Sequence, residues 1–332
     1  MKTPTMEETI NATNSLPSKG RNISTAAQII TAFLLVTSVW AFLSFLIFGV
    51  RKGAWQKKKS RTSFVLMSLA TAAPAFAFVR VVSTQILLII GNQELFELSA
   101  GNCYTVYSLN VISYTLAILC VYAYLWYRQR TLYSKPSLRH LNTRLINFIS
   151  AMVMPLIAVG VISICVMFHM TEHIALPNIG CTFKFITSLG AKPLYALVTL
   201  TSLMQLVLFL LFLYPLRNFS STPPSDFPKK KTYTRLRRII KLASTSLILC
   251  ILSDLIVSGV ARSLQILLKT NTMLSTAVYD INLVVNVVSI MGSFENNTLI
   301  ASSLFCGSRL TTQDLQSTAS SKRKNTHSTT NL

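Results

Sequence analysis

The chain has 332 residues, of which 51% are hydrophobic and only 12% are charged. A soluble domain carries about 25% charged residues, so the composition disfavours a soluble globular protein and predicts that lipid covers much of the surface. The formal net charge of +21 would suit a nucleic-acid-binding protein, but the positions of the basic residues along the chain argue against that class.

Seven segments of the chain are long and apolar enough to cross a membrane. Residues 1–25 precede them as a polar N-terminal segment in which no cleavable signal peptide is expected. A spanning helix needs about 20 predominantly apolar residues. The sequence therefore predicts an all-α fold, a seven-transmembrane helix bundle within residues 26–305. The predicted spans are residues 27–50, 62–90, 103–127, 145–168, 186–214, 239–268 and 275–303.

Lysine and arginine are concentrated in alternate connecting segments. The first, third and fifth loops carry basic clusters, such as residues 57–59 and 229–231, whereas the second loop has Glu94 and Glu97 and no base. Because cytoplasmic loops are enriched in Lys and Arg, the N-terminus is predicted to be extracellular and the C-terminus cytoplasmic. The net charge then reflects topology and affinity for the head groups of membrane lipids. Nucleic acid is not an expected partner.

Both terminal segments contain expected modification sites. Asn11 and Asn22 begin Asn-x-Ser/Thr sequons in the segment predicted to be extracellular, so glycosylation is expected there. Residues 306–332 are rich in Ser and Thr without apolar periodicity, which predicts a disordered cytoplasmic tail. Cys306 at the start of this tail is either palmitoylated or an unmodified cysteine at the membrane edge.

Two of the six cysteines are predicted to face the oxidising, extracellular side. Cys103 lies at the outer start of helix three, and Cys181 lies in the loop before helix five. A disulfide between them would hold the long second extracellular loop against the helix bundle. Two free thiols are the alternative interpretation.

Two motifs resemble those of rhodopsin-like (class A) G-protein-coupled receptors. That family begins helix three with a cysteine and ends it 25 residues later with the arginine of an Asp-Arg-Tyr motif. Cys103 and Arg128 have this spacing, and Arg128 lies in the run Tyr-Arg-Gln. The family ends helix seven with Asn-Pro-x-x-Tyr, followed eight residues later by a basic residue. Here residues 297–301 read NTLIA, starting at Asn297, and Arg309 follows at that spacing.

The chain therefore resembles a divergent rhodopsin-like receptor over residues 25–310. It departs from the family pattern at Ala73, where the family usually has an aspartate, and at residues 250–253, which read CILS instead of Cys-Trp-x-Pro. The resemblance implies a multi-pass receptor of the plasma membrane that binds an extracellular ligand. It also implies coupling to a heterotrimeric G protein through Arg128 and Asn297, and recruitment of an arrestin-like partner by a phosphorylated tail.

The ionisable residues Arg80, Asp254, Arg262 and Asp280 lie within the predicted spans. Such residues are costly in lipid and mark candidate functional sites. One interpretation is a buried Arg80–Asp254 salt bridge between helices two and six. The other is that these residues line a ligand cavity open to the outside, and both can hold. Helix seven also carries polar residues at spacings of three and four, which predicts one stripe facing the bundle: Asn282, Asn286, Ser289, Ser293 and Asn297.

A transporter or channel is the competing prediction, with Arg80, Asp254 and Arg262 along the substrate path. The sequence shows no inverted repeat and no paired helices broken by Gly or Pro, which counts against a transporter. It also contains no HExxH or GxSxG motif and no carboxylate pair at a consistent catalytic spacing, so neither an enzyme nor a cofactor is expected. His169 and His173 lack further clustered ligands, so no metal site is expected.

Overall fold

The computed structural model of the chain describes residues 17–51, 61–92, 100–134, 143–169, 172–176, 180–184, 192–221, 230–268 and 272–294. Within these ranges the chain forms seven α-helices and one two-stranded β-sheet, so the prediction of seven helices is confirmed for the described part. The helices are α1 (Pro17–Arg51), α2 (Arg61–Asn92), α3 (Ala100–Tyr133), α4 (Arg144–His169), α5 (Lys192–Ser221), α6 (Lys230–Leu268) and α7 (Thr272–Ser293).

Six of these helices contain a described segment that is long and apolar enough to cross a membrane. The described apolar part of α5, Thr199–Pro215, is shorter than such a span. By the length and composition of its helices, the chain is a multi-pass membrane protein. The six segments are Thr25–Arg51, Arg61–Ile89, Tyr104–Tyr133, Arg144–His169, Arg238–Val260 and Thr276–Ser293.

Some helices begin earlier than the apolar pattern predicts. Helix α1 begins at Pro17 instead of residue 27, and proline suits the first helical position because the N–H that it lacks would be unpaired there. Helix α6 begins at Lys230 instead of residue 239, so its first turns are basic and lie before the apolar span. Hydropathy identifies only the apolar segment of a helix, and both helices extend beyond that segment.

A β-hairpin follows α4, and the sequence analysis did not predict it. Strand β1 (Glu172–Leu176) pairs antiparallel with β2 (Gly180–Lys184), with Leu176 opposite Gly180 and Glu172 opposite Lys184. The hairpin contacts α2 and α3. Each strand is only five residues long, too short for alternation of apolar and polar residues to distinguish a strand from a loop. The fold is therefore a helical bundle with one short hairpin.

The core is centred on α3, which contributes the fully buried side chains of Tyr122, Tyr124 and Leu125. Helix α2 makes its most extensive contacts with α3, and its fully buried small residues Ala70, Ala73 and Ala77 follow one another at spacings of three and four. Small residues on one face let two membrane helices approach closely. The polar groups described below are held between closely packed helices.

The apolar side chains on the outside of the bundle are exposed in a pattern that suits lipid. On α4 the exposed residues recur every three or four positions, so they share one face of the helix. In water such a face would be an interaction surface, whereas in a bilayer lipid covers it. The exposed apolar residues of α4 include Leu145, Phe148, Met152, Val159, Ile162 and Val166.

Arginines mark one end of the bundle, where α1 and α3 end and α2 and α4 begin. Arg51 and Arg61 lie at the ends of α1 and α2, Arg130 lies in the last turn of α3, and Arg144 begins α4. We call this the basic end. The hairpin lies near the opposite end, between the C-terminus of α4 and the N-terminus of α5.

Candidate functional site: a buried polar network

Arg80 on α2 forms a buried salt bridge with Asp280 on α7. The Arg80 Nε donates a hydrogen bond to Oδ1 of Asp280 at 2.7 Å. The side chains are 6% and 0% exposed, so neither charge is offset by water. An isolated charge at this depth would be strongly unfavourable, and the pair therefore fixes α2 against α7.

Helix α3 completes the surroundings of Arg80. The Arg80 Nη1 donates to the backbone oxygen of Asn110 at 3.0 Å, and the guanidinium lies 5.0 Å from the ring centre of Tyr114. The Asn110 side chain in turn donates to Thr84 Oγ1 at 2.8 Å. Arg80 therefore links three helices through a carboxylate, a carbonyl and an aromatic ring, all of which favour a cation.

Asp254 on α6 accepts hydrogen bonds from four neutral side chains. Its Oδ2 accepts from Gln205 Nε2 on α5 at 3.0 Å and from the Tyr122 hydroxyl on α3. Its Oδ1 accepts from Asn282 Nδ2 at 2.8 Å and from Asn286 Nδ2 at 3.0 Å, both on α7. The carboxylate is thus a hydrogen-bonding centre shared by four helices.

The two centres are joined through Tyr114 into one polar network. The Tyr114 ring faces Arg80, and its hydroxyl accepts a long hydrogen bond from Asn282 Nδ2 at 3.4 Å. Ser253, beside Asp254, donates to Asn282 Oδ1 at 2.6 Å. Asn282 therefore contacts both Tyr114, beside Arg80, and Asp254. A change at one centre can reach the other through these contacts.

The predicted Arg80–Asp254 salt bridge is wrong, because Arg80 pairs with Asp280 instead. Helix α2 packs beside α1, α3 and α7, and Asp280 is the acid that α7 presents to it. Asp254 lies on α6, where donors from α3, α5 and α7 surround it. The prediction that both residues face the bundle interior agrees with these contacts.

Arg128 lies near the basic end of α3 and turns inward to the end of α7. It is only 8% exposed. It donates to the hydroxyl of Tyr124 at 2.9 Å, and also to the hydroxyl and the backbone oxygen of Ser293. The unpaired carbonyls at a helix C-terminus favour a cation, which explains how this arginine is accommodated at the end of α7.

Aromatic rings pack around the Arg128–Ser293 contact. Phe294, the residue after α7, lies 5.7 Å from the ring centres of Phe45 on α1 and Tyr124 on α3. The Tyr124 hydroxyl also lies 2.9 Å from Ser293 Oγ. We call the three residues Arg128, Tyr124 and Ser293 the α3–α7 contact. It closes the bundle interior at the basic end.

The polar stripe predicted on α7 is confirmed for its described members. Asn282, Asn286, Ser289 and Ser293 are all less than 9% exposed. Sequence reasoning missed Tyr122, Gln205, Tyr114 and Asn110. Each of these four residues carries a polar or phenolic group inside an apolar span. Such groups are common in membrane helices, so the sequence did not distinguish these four from the others.

Several predicted sites lie outside the described part of the structure. Asn11, Asn297 and Cys306 fall outside the described residues. Asn22 and Arg262 lie in α1 and α6, Cys103 lies near the start of α3 and Cys181 lies in β2, but their side chains are outside the described set. The predicted disulfide, glycosylation and palmitoylation stay predictions. Cys120, Cys165 and Cys250 are free thiols.

The described side chains include no group of three His, Cys, Asp or Glu residues arranged to hold a metal ion. No protein-family model matches the sequence, and the search of curated proteins found no match.

Proposed function

We propose that this chain is a receptor that resembles G-protein-coupled receptors and signals across the plasma membrane. Its seven helices all cross the bilayer, with the N-terminus extracellular and the basic end in the cytoplasm. An extracellular ligand shifts the bundle between two states, and a heterotrimeric G protein reads the change at the basic end. Arg128 and Asn297 take part in this coupling, and an arrestin binds the phosphorylated tail.

The α3–α7 contact is the observation that carries this proposal. Arg128 is the residue that the motif comparison assigns to G-protein coupling, and its guanidinium is bound by Tyr124 and Ser293 inside the bundle. In this arrangement it is withdrawn from a cytoplasmic partner. Release of Arg128 from Ser293 would open the basic end and make the guanidinium available, which is the kind of two-state element that a receptor requires.

The polar network is the proposed ligand-responsive part of the bundle. Arg80, Asp254 and Asp280 lie in it, and Arg262 is placed two turns beyond Asp254 on α6. A charged or polar ligand group that competes for one of these partners would change how α2, α6 and α7 are held together. The hairpin that contains Cys181 contacts α2 and α3, and the proposed Cys103–Cys181 disulfide would hold the extracellular loop over this region. Asn11 and Asn22 are the proposed glycosylation sites, and Cys306 is the proposed palmitoylation site.

The test compares three single variants of the full chain in cells that carry G-protein dissociation sensors. Ser293→Ala removes the hydroxyl that binds Arg128, so ligand-independent signalling should rise about threefold to tenfold, the effect of weakening the closed state by about 1 kcal/mol. Arg128→Ala should abolish signalling. Ser289→Ala is the matched control, because Ser289 lies one turn earlier on the same buried face of α7.

The results distinguish a receptor from a transporter or channel, the competing functional class. Equal signalling by the Ser293 and Ser289 variants would contradict the role of the α3–α7 contact. No response with any G protein, combined with ion or solute flux that Asp254→Asn abolishes, would instead assign the chain to transporters or channels. Surface expression of each variant is measured alongside the signal.

A further inference from the structure

A cavity of about 140 Å³ lies between α3 and α4 at the basic end. Its lining includes Gln129 and Arg130 from α3, Ser134 just after α3, and Ile146, Asn147 and Ser150 from α4. None of the described residues that line it is acidic. The cavity is separate from the buried polar network and from the α3–α7 contact.

Gln129 lines this cavity on the α3 side with a buried side-chain amide. The residue is 1% exposed, and its Oε1 accepts a hydrogen bond from the Ser150 hydroxyl at 2.9 Å. Its Nε2 is buried and has no hydrogen-bond partner in the described part of the structure. A buried amide N–H without an acceptor is unfavourable, so an acceptor bound in the cavity would remove that cost.

Arg130 supplies a cation at the mouth of the cavity. Its side chain is exposed, and its guanidinium lies 5.2 Å from the ring centre of Trp126. The Trp126 Nε1 donates to the backbone oxygen of Ser150 at 2.6 Å, which fixes the ring that supports the guanidinium. Arg128, two positions earlier, is held by α7 and does not serve this cavity.

The surrounding sequence makes this region attractive to anions. There is no Asp or Glu between Glu97 and Glu172 in the sequence. Arg130 lines the cavity, and Arg144 begins α4, the helix that forms its other side. These described arginines make the region attractive to anions. A buried amide donor beside a guanidinium suits the several acceptor oxygens of a phosphate group.

We propose that this cavity binds the phosphate head group of an anionic lipid. The lipid source is favoured because Leu145 and Phe148, next to the cavity on α4, are 66% and 64% exposed and present an apolar surface for acyl chains. Trp and Arg are also the residues that anchor proteins at the membrane interface. The proposal rests on the topology proposed above, in which the basic end faces the leaflet rich in anionic lipids.

The test measures binding of short-chain lipids to the purified full chain in neutral detergent. The probes are dioctanoyl phosphatidylinositol 4-phosphate, dioctanoyl phosphatidylcholine and the free head group inositol 1,4-bisphosphate, each followed by native mass spectrometry and Trp fluorescence. The phosphoinositide should bind more tightly than the other two. Arg130→Gln and Gln129→Glu should each weaken it by about tenfold, the effect of losing one hydrogen bond to a charged group.

Arg238→Gln is the matched control, because Arg238 is an exposed arginine at the start of the apolar span of α6 and does not line the cavity. It should bind the phosphoinositide as the unmodified chain does. An equal loss in the Arg238 and Arg130 variants, or equal binding of phosphatidylcholine, would overturn the proposal. Equal affinity for the free head group would retain the phosphate site and assign it to a soluble ligand.

The binding measurement does not depend on signalling. Thermal unfolding of each variant shows whether it is folded, so that a loss of affinity is assigned to the cavity. A chain that binds the phosphoinositide without activating a G protein would support the lipid site while contradicting the receptor. A chain that activates a G protein without binding the phosphoinositide would support the receptor and contradict the lipid site.

Discussion

Arg80 and Asp280 are held inside the bundle because their opposite charges offset each other. Their hydrogen bond of 2.7 Å is shielded from water, and Arg80 also donates to the backbone of α3. Membrane helices keep a charged residue in this position only when a partner offsets its cost. The pair therefore specifies which faces of α2 and α7 meet.

We expect double substitution of this pair to be milder than either single change. Arg80→Gln or Asp280→Asn alone leaves a buried charge without its partner, which destabilises by roughly 3–5 kcal/mol. The combined variant removes both charges and should be closer to the unmodified protein. Thermal unfolding in detergent measures this, with Arg61→Gln, an exposed arginine at the basic end, as the control. If the destabilisation of the double variant equals the sum of the two single destabilisations, the two charges act independently.

Asp254 differs from Asp280 because its hydrogen-bond donors are all neutral in the described part of the structure. Four side chains from α3, α5 and α7 donate to it. A hydrogen bond between membrane helices contributes about 0.6 kcal/mol on average. The Asp254 centre stabilises the bundle because its hydrogen bonds join four helices.

Asp254→Leu should therefore destabilise the bundle by roughly 2 kcal/mol, the sum of four such hydrogen bonds. Ser253→Ala, at the neighbouring position, removes the one hydrogen bond that Ser253 donates to Asn282 and should cost about 0.6 kcal/mol. Denaturant or thermal unfolding of the purified variants compares the two. Equal effects would mean that the Asp254 centre does not hold the helices together.

At the scale of whole helices, α4 and α5 pack closely together at Gly160. A Cβ atom at that position would lie 2.6 Å from Cγ2 of Thr201 on α5, and Thr201 is itself buried. Membrane helices use glycine where backbones must come close. The pairing of α4 with α5 therefore depends on the absence of a side chain at Gly160.

Gly160→Ala should destabilise the protein by about 1–3 kcal/mol through this overlap, as measured by thermal unfolding. Adding Thr201→Ser removes the Cγ2 atom and should restore much of the loss. Gly259→Ala on α6 is the control, because no described atom beyond the local helix backbone and the chain neighbours lies within 4 Å of its added Cβ, and alanine there should be neutral or stabilising by up to about 1 kcal/mol. A Gly160→Ala variant as stable as the Gly259→Ala variant would rule out close packing at this point.

At the scale of the whole molecule, we expect the distribution of charge to set the orientation in the membrane. The described arginines at the ends of α1 to α4 gather at one end of the bundle, as the loop sequences require. Lysine and arginine are retained on the cytoplasmic side during insertion. The proposed coupling surface and the proposed lipid site both depend on this charge distribution.

Epitope tags test this orientation on intact cells. A tag before Asn11 should bind antibody without permeabilisation, and a tag after Leu332 should bind only after permeabilisation, because the basic loops stay in the cytoplasm. Replacing the basic residues 57–59 and 229–231 with Gln should weaken the preference and increase the fraction of inverted protein. Labelling of the C-terminal tag on intact cells would contradict seven spans.

The sequence by itself determined the number of helices in the described part, the approximate positions of their apolar segments and the described polar stripe of α7, because hydropathy and helical periodicity are local properties of the chain. It did not determine the helix ends, since α1 and α6 begin before their predicted spans and α7 ends at Ser293 instead of residue 303. It also located the charged residues that must face the interior. Only the tertiary structure decided that Arg80 pairs with Asp280 and that Asp254 is surrounded by neutral donors. The partner of a buried charge depends on which helices are neighbours and how each is rotated about its axis, and those are set by packing between segments far apart in the sequence.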